Sequence, residues 1–424
     1  MAQLTDDCFA FGGPLLSVDD VGRLIRERVM PVPQTEAIAV SAARGRVLAQ
    51  DTTASVALPP FDNSAVDGYA VRHQDLQTNA ETRLKVTSRL LAGHGATDPI
   101  EPGTATRIFT GAPMPTGADT VFMQEDCKVD GDYVLLPAGL KPGANRRLKG
   151  EDVREGAVVL RAGVRLAPQH LAMASAVGTT MLKVRRRIRV ALFSTGDEIV
   201  EAGSPLPPAA VYDANRTLLR GQAEALGADV SDLGILADEP EALARALGEA
   251  AASHDLVLTS GGVSTGEADY VRTAVEAMGA LTFWRTAIKP GRPVAMGVLR
   301  APNGEACAFC GLPGNPVAAF VTFVRIVRPL LLQLSGAHFE DFIALPVRSA
   351  FFYKKKEGRR EYVRVSLSRA EDGIIEATKY AQDGAGVISS LTSTDGLVEL
   401  PEDSKGVKPG DSINFISYAA LIGG

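Results

Sequence analysis

The segment LVLTSGGVSTGEAD, residues 256–269, joins a short apolar strand to a turn rich in glycine and hydroxyl side chains. Two other segments also join a short apolar strand to a turn that contains glycine, VALFSTGDE at 190–198 and ACAFCGLPGNP at 306–316. Apolar residues at helical spacing predict helices between these strands, near 215–226, 239–252 and 268–278. Repeated strand–helix units of this kind predict a doubly wound α/β domain, with a mostly parallel sheet and helices on both faces.

The regions before and after this α/β unit have different sequence patterns. Ser17 is a candidate N-cap of an amphipathic helix over 17–29. From about 52 to 160, short strand-like runs are broken by glycine and proline, which predicts a β-rich domain. The basic run at 183–189 is interpreted as a domain boundary, with an anion-binding patch as the alternative. After residue 335 alternating strands return, and we expect a small β-barrel or sandwich.

Composition limits the possible functions. The 424 residues are 46% hydrophobic and 22% charged, with a net charge of −6. This length predicts about three domains, and the acidic balance argues against nucleic acid as a partner. The acidic N-terminus does not resemble an export signal, and no uninterrupted run of about 18 apolar residues suggests a membrane span. We therefore expect a cytoplasmic protein without a membrane partner.

Cysteine and histidine give no sign of a metal site. Cys307 and Cys310 form a CxxC pair, but no second pair follows to complete a zinc site. The run that contains them has the composition of a buried strand. The five histidines show no HExxH or other ligand spacing. We therefore expect both residue types to be structural.

The turns that follow the α/β strands carry the candidate chemistry. The carboxyl ends of parallel strands form one edge of a sheet, so the three turns should converge there. Backbone N–H groups at glycine-rich turns and helix N-termini bind anions such as phosphate. Neither a Walker A nor a GxGxxG pattern is present. Acids next to these turns would repel an anion unless a hard cation such as Mg²⁺ lies between them: Asp197, Glu198, Asp238, Glu267 and Asp269. Asp213 is better interpreted as a helix cap.

Positive charge comes from KPGRP at 289–293, whose prolines and glycine restrain Lys289 and Arg292. Such a loop suits a small oxyanion or a phosphate, although a solvated hairpin explains it equally well. In the β-rich part, acids lie in ordered-looking loops at 59–70, 110–119 and 149–152.

Seven strings occur in the order and approximate spacing of one known family: FDNSAVDGYAVR, TGAPMPTGADTV, KGEDV, STGDEI, TSGGVSTGEADY, AIKPGRPV and GLPGNPVAAF. The chain thereby resembles, over nearly its whole length, the molybdopterin molybdenumtransferases, which include the E domain of gephyrin. The resemblance implies an enzyme that inserts molybdate into adenylylated molybdopterin with Mg²⁺ and releases AMP and molybdenum cofactor.

The resemblance also implies a multidomain fold of four parts. These are a helical and extended linker domain at 1–54 and 155–187, a β-rich domain at 55–154, an α/β molybdopterin-binding domain at 188–335 and a C-terminal β-barrel at 336–424. Family members look like elongated homodimers with the site in a cleft between subunits. A contact with the molybdopterin adenylyltransferase that supplies the substrate is a further expectation.

Site roles follow from matching positions and from the three turns. The resemblance places Asp67, Asp152, Asp238, Lys289 and Arg364 in the catalytic site. The metal ligands are expected among Glu198, Asp269, Asp67 and Asp152. The residues expected to bind substrate lie on the loops described above: Thr110, Ser260, Gly261, Gly262, Ser264, Arg292, Pro313 and Asn315.

Two positions depart from the family pattern. Arg285 stands where some members have lysine, which keeps the charge and changes the geometry of an oxyanion contact. Ala385 stands where some bacterial members have serine, so that hydroxyl is dispensable or comes from a neighbour such as Ser389.

Two other functions compete with this interpretation. A molybdopterin adenylyltransferase shares the TSGG type of loop, but it would need only the central domain. A partner-binding scaffold would use the same fold, but it has no need to keep the acids and Lys289.

Overall fold

The computed structural model of the protein describes residues 4–5, 8–9, 15–95, 98–237, 239–261, 270–291, 294–301, 304–339 and 341–422, with backbone alone at 283 and 284. The α/β part is built on a six-stranded sheet. The part of the chain before it forms a β-rich sheet, and the part after it forms a closed barrel. The predicted multidomain α/β and β fold is therefore confirmed, while the domain boundaries stay a prediction.

The central sheet contains the strands predicted from the apolar runs. Its first four members pair in parallel and its last two are antiparallel. The strands that precede the glycine-rich turns contain buried apolar runs, as expected for strands covered on both faces, and two of them end in buried hydroxyl residues. The spatial order is Asp229–Leu236, Arg189–Thr195, Leu256–Ser260, Ala306–Leu312, Val294–Arg300 and Gly279–Trp284.

Helices cover both faces of this sheet. One face packs against Asn215–Ala225 and the run Pro316–Ser335, and the other packs against Pro240–Ser253 and Tyr270–Met278. The run Pro316–Ser335 consists of two α-helices joined by a π-helical turn, Pro316–Thr322, Phe323–Val327 and Arg328–Ser335. It is long and apolar enough to cross a membrane, but 83% of its most apolar window is buried. The fold uses it as a core helix.

The helix Val18–Arg28 begins as its cap predicts, because Ser17 Oγ accepts the Asp20 amide hydrogen at 3.0 Å and Asp20 reaches back to Ser17. Leu24 and Ile25 from this helix are buried with the central sheet. The helix therefore packs on the α/β part, although the sequence division assigned its residues to the linker.

The segments before and after the β-rich part pair with each other. Thr35–Ala39 is antiparallel to Met181–Arg185, and Thr52–Thr53 is antiparallel to Val158–Leu160. The helix Pro168–Ala176 packs in the same cluster. These pairings support the proposed discontinuous linker.

The intervening chain forms a second six-stranded sheet. Its core contains Tyr69, Leu84 and Phe122. Its strands lie in the order Thr120–Met123, Gly68–Val71, Thr104–Ile108, Thr82–Leu90, Tyr133–Leu136 and Lys128–Asp130. The short pair Asn63–Ser64 and Arg146–Arg147 lies beside it.

The C-terminal strands close into a five-stranded barrel, because Arg360–Arg369 pairs with both Ile375–Lys379 and Gly396–Leu400. Leu345–Ser349 and Ser412–Ser417 complete the ring. The short strand Ile288–Lys289 of the α/β part adds to the barrel in parallel with Arg360 and Glu361. The remaining elements are short: the strand pairs Ile199–Val200 with Val211–Tyr212 and Tyr353–Lys354 with Gly406–Val407, the helices Ser389–Thr392 and Tyr418–Ile422, and the 3-10 turns Val40–Ala42, His73–Asp75 and Gln124–Asp126.

Cys307 and Cys310 lie on one strand of the central sheet, and both are fully buried. Their separation by three residues puts them on opposite faces, since strand side chains alternate. Cys307 packs in one core cluster and Cys310 in the other. The CxxC pair therefore cannot bind one metal ion, and the structural interpretation is confirmed.

Candidate active site

The turns that follow three neighbouring parallel strands lie at one edge of the central sheet. Ser194 is opposite Ser260, and Ser260 is opposite Leu312. This register brings the three strand ends level, so the predicted convergence of the turns is confirmed. We call this edge the rim, formed by residues 195–198, 260–261 and 312–315.

Asn215 joins two of the rim loops. Its Nδ2 donates to Ser260 Oγ at 2.8 Å and to the Gly314 carbonyl at 2.7 Å. Asn215 is buried at the first turn of its helix, where Asp213 accepts the Arg216 amide hydrogen at 3.1 Å. The capping interpretation of Asp213 is thereby confirmed. The sequence argument missed Asn215, because its partners lie 45 and 99 residues away.

Gly261 allows two strands to approach each other at the rim. Its φ is +86°, and an added Cβ would lie 2.7 Å from the Thr195 carbonyl oxygen. Only glycine fits this conformation and this gap without displacing backbone. Its N–H donates to the Leu312 carbonyl at 3.1 Å. Gly261 therefore shapes the rim, and its own amide is already used within the fold.

Pro313 and Asn315 lie on the turn before the helix Pro316–Thr322, and Asn315 is exposed. The barrel loop reaches this helix end, where the Ala385 carbonyl accepts the Val317 amide hydrogen at 2.9 Å. Because this contact uses backbone atoms, alanine makes it as well as serine. Ser389 Oγ lies 3.2 Å from Tyr380 OH in the same part of the barrel.

Glu198 is exposed at the first rim turn. A Cβ added to Gly196 would lie 2.9 Å from Glu198 Oε2, so the glycine leaves room for the carboxylate to fold over the turn. The carboxylate is thus accessible at the edge where the anion is expected. Its neighbour Asp197 is also exposed.

Lys289 is held by a pair of barrel side chains. Its Nζ donates to Glu361 Oε2 at 3.0 Å and to Tyr353 OH at 3.1 Å, and Tyr353 OH donates to the same carboxylate oxygen at 2.7 Å. Arg359 donates to the other oxygen at 2.7 Å. Burial alone would lower the pKa of Lys289, but the hydrogen bonds to Tyr353 and Glu361 raise it. Lys289 is therefore a fixed cation with a half-exposed side chain.

Arg364, which was predicted to be catalytic, is buried inside the barrel loop. It donates to Ser390 Oγ at 3.1 Å and to the carbonyls of Gln382 and Gly384 at 3.3 and 3.1 Å. These bonds anchor the loop whose Ala385 meets the helix end. The geometry favours a positioning role for Arg364.

Asp67 and Thr110 lie together in the β-rich part. Asp67 Oδ1 accepts from the Thr110 amide at 2.8 Å and from Thr110 Oγ1 at 2.7 Å. The Thr110 backbone N–H lowers the pKa of Asp67 most, and the Thr110 hydroxyl lowers it further. Asp67 is therefore ionised at neutral pH, with its other oxygen outside these bonds.

Asp152 is exposed on a neighbouring loop of the β-rich part. Its amide donates to the Leu58 carbonyl at 3.1 Å, and the Lys149 amide donates to Asp62 Oδ1 at 2.8 Å. The loops at 58–67, 110–114 and 145–153 thus form one surface of this domain.

The described residues contain no hydrogen bond or ion pair that joins Asp67, Thr110 or Asp152 to the rim. Nor do they contain a group of three or more side chains placed to hold a metal ion. Arg285 is exposed, and its carbonyl accepts the Leu16 amide hydrogen at 2.9 Å. Several predicted site residues lie outside the described residues: Asp238, Gly262, Ser264, Glu267, Asp269 and Arg292.

Family models match almost all of this architecture. The MoeA N-terminal region, domains I and II, matches residues 16–178. A probable molybdopterin binding domain matches residues 191–333, and the MoeA C-terminal region, domain IV, matches residues 346–418. The fold and its rim thus define a multidomain protein of molybdenum cofactor biosynthesis with a pterin-binding α/β domain.

Individual relatives agree. The chain is 36% identical to a molybdopterin molybdenumtransferase of Haemophilus influenzae, over 96% of this chain and 100% of the relative, and 37% identical to one of a Nostoc species, over 92% and 90%. The crystal structure of the molybdopterin biosynthesis MoeA protein of Pyrococcus horikoshii superimposes with a TM-score of 0.80 at 30% identity, covering 95% of this chain and 100% of that one. The chain belongs to the molybdopterin molybdenumtransferase family, and it is a transferase.

Proposed function

We propose that this protein inserts molybdate into adenylylated molybdopterin, with Mg²⁺-dependent cleavage of the phosphoanhydride and release of AMP and molybdenum cofactor. The observation that carries the proposal is the rim, where Asn215 fixes Ser260 and Gly314 at the carboxyl edge of the pterin-binding sheet. Such an edge is where α/β sheets bind ligands. The transferase names of the relatives support the same reaction class.

The substrate would lie along the rim. Ser260, Pro313 and Asn315 line this edge, together with Gly261, and sequence proximity adds Gly262 and Ser264. Lys289 and Arg292 would bind molybdate or phosphate oxygens, because a restrained cation suits a small oxyanion. Thr110 would act beside Asp67.

The carboxylates fit a hard cation. Asp67 is ionised, and Asp152 and Glu198 are exposed, so all three can offer the oxygen ligands that Mg²⁺ prefers. Asp238 and Asp269 would complete the acidic set. When bound, Mg²⁺ would neutralise the charge that develops on the phosphoanhydride oxygens. The residues themselves would position the pyrophosphate, and no protein nucleophile is required.

Within the described residues, Asp67, Thr110 and Asp152 bond only inside the β-rich part, and a homodimer with a shared site would bring them to a rim. The β-rich loops of one subunit would then face the rim of its partner, and both halves would be needed for turnover. A contact with the adenylyltransferase that delivers the substrate, and a cytoplasmic location, are parts of the same proposal.

The primary experiment mixes purified protein with adenylylated molybdopterin, Mg²⁺ and low molybdate, and measures AMP release. Release that needs both ions is expected. Tight pterin binding without release would contradict the proposal in favour of a scaffold. Attachment of AMP to free molybdopterin in the presence of ATP would instead indicate an adenylyltransferase.

Mixed variants test the shared site. Asp67→Asn and Lys289→Ala are each expected to be inactive alone. After unfolding and refolding together, half of the dimers would have one site that combines an intact Lys289 from one subunit with an intact Asp67 from the other, so about a quarter of the wild-type rate should return. Lack of any recovery, with mixed dimers shown to form, would place the whole site within one chain.

A further inference from the structure

A cavity of about 600 Å³ lies at the opposite end of the central sheet from the rim. Arg187 precedes the strand Arg189–Thr195, and Glu224 ends the helix Asn215–Ala225, so the cavity lies at the amino edge of the sheet. Arg44 and Arg165 line its other side. We call this the arginine cavity.

The fold holds the three arginines around this cavity. The Gly45 amide donates to the Leu166 carbonyl at 2.7 Å, and the Leu166 amide donates to the Arg46 carbonyl at 2.8 Å. These bonds keep the segments that carry Arg44 and Arg165 side by side. Gly227, at φ +87°, faces them closely, since an added Cβ would lie 3.2 Å from the Gly45 carbonyl oxygen.

Two of the arginines cap the helix Asn215–Ala225. Arg165 donates to the Ala225 carbonyl, and Arg187 Nη1 donates to the Gly227 carbonyl at 2.9 Å. Cations at a helix C-terminus interact favourably with its dipole. Capping therefore accounts for these two bonds. It does not account for Arg44, which is exposed at the same cavity.

The charge of the arginine cavity is unbalanced. The described lining contains three arginines and one acid, Glu224, whose carboxylate pairs with Arg220 at 2.8 Å. The cavity is thus positive in a protein whose net charge is −6. Converging cations repel one another unless an anion or a compensating group lies between them.

We propose that Arg44, Arg165 and Arg187 form a second anion site, separate from the rim, that binds a phosphate group carried by a small molecule. The planar fork of arginine matches the oxygens of phosphate. The cavity volume lies within the range of about 300–1,000 Å³ that small-molecule sites occupy, which is larger than free phosphate needs. The rim and this site lie at opposite ends of one helix, Asn215–Ala225.

Calorimetric titration with inorganic pyrophosphate tests the second site. The wild type should bind at the rim and at the cavity, and Lys289→Ala should keep the cavity event. Arg44→Glu should weaken the cavity event at least about tenfold, the equivalent of one lost charge-assisted hydrogen bond. Arg44 is exposed, so the variant should fold normally, which thermal unfolding without ligand verifies.

Arg161→Ala is the matched control, because Arg161 is an exposed arginine of the same region that pairs with Asp51 at 3.5 Å and is not among the described residues that line the cavity. It should bind like the wild type. Binding of pyrophosphate that is unchanged in Arg44→Glu, or lost entirely in Lys289→Ala, would overturn the proposal. A parallel titration with AMP distinguishes a nucleotide from other phosphate compounds. If AMP binds the cavity more tightly than inorganic phosphate does, the ligand is a nucleotide; if the two bind equally, the cavity recognises the phosphate group alone.

Discussion

Two charged groups of the proposed site, Asp67 and Lys289, are held in contrasting ways. Asp67 depends on a single residue, Thr110, in a neighbouring loop of the same β-rich part. Lys289 lies on a short strand of the α/β part that joins the barrel sheet, and it depends on Glu361 and Tyr353, two residues of the barrel part. The first group can be neutralised with little loss of packing, whereas the second is part of the junction between the α/β part and the barrel. Activity and stability should therefore separate at Asp67 and be linked at Lys289.

The largest expected effect follows from Asp67→Asn. The amide still accepts from Thr110, so the thermal midpoint should stay close to the wild type. The rate of AMP release should fall at least about 100-fold, as when a group that stabilises charge in the reaction is removed. Asp130→Asn, which changes an exposed acid of the same sheet, is the control. A near-normal rate of Asp67→Asn in excess Mg²⁺ would show that Asp67 is not a metal ligand.

Glu361→Gln should affect both properties. The Glu361 side chain is 1% exposed and accepts from Lys289, Tyr353 and Arg359. Loss of its charge leaves two cations without their counter-ion, and we expect unfolding to become easier by about 2 kcal/mol, since both cations are partly solvated. Chemical denaturation measures the loss, with the exposed Glu371→Gln of the same barrel as the control. Equal stability of the two variants would break the contrast with Asp67.

Asn215→Ala should have a smaller effect on stability. Ser260 Oγ and the Gly314 carbonyl would lose a buried donor, which costs about 1 to 2 kcal/mol. The KM for the pterin substrate should also rise, because the two rim loops are no longer joined. Arg220→Ala on the exposed side of the same helix should cost less than about 0.5 kcal/mol. An unchanged KM would limit Asn215 to a structural role.

The smallest expected effect concerns pH. Lys289 has a pKa raised above its ordinary value of 10.5, so the stability it adds is complete below that value and disappears only as pH rises through the higher, folded pKa. Molybdate affinity should follow the same alkaline limb. Tyr353→Phe removes one hydrogen bond that raises this pKa, so the limb should move to lower pH. Molybdate affinity is measured for both proteins up to about pH 11. If it declines over the same pH range in the wild type and in Tyr353→Phe, Lys289 does not control molybdate binding.

The sequence predicted the elements whose signals are local. Ser17 marked a helix start, and the apolar run at 190–193 marked a buried strand. The parallel order then placed Ser260 and Gly314 at one edge, since connection rules constrain such sheets. The resemblance added the closed barrel at the C-terminus, since periodicity alone had left that region open between a barrel and a sandwich.

The missed contacts are those with distant partners. Glu361 lies 72 residues from Lys289, and Asn215 lies 99 residues from Gly314. No local pattern marks such pairs, because each side chain has an ordinary alternative as a surface acid or a helix-start residue. Arg364 differs from these residues, because the family resemblance had already assigned it to the site. The structure adds that it bonds to the barrel loop.

The placement of Cys307 and Cys310 on opposite faces of one strand gives the protein a pair of internal reporters. Burial raises the pKa of both thiols, so neither thiolate forms in the native state at neutral pH. A thiol-specific reagent can reach Cys307 only when the helices Pro240–Ser253 and Tyr270–Met278 separate from the sheet, and Cys310 only when the opposite layer opens. Labelling rates at the two positions, read by mass spectrometry, would time the opening of each layer separately.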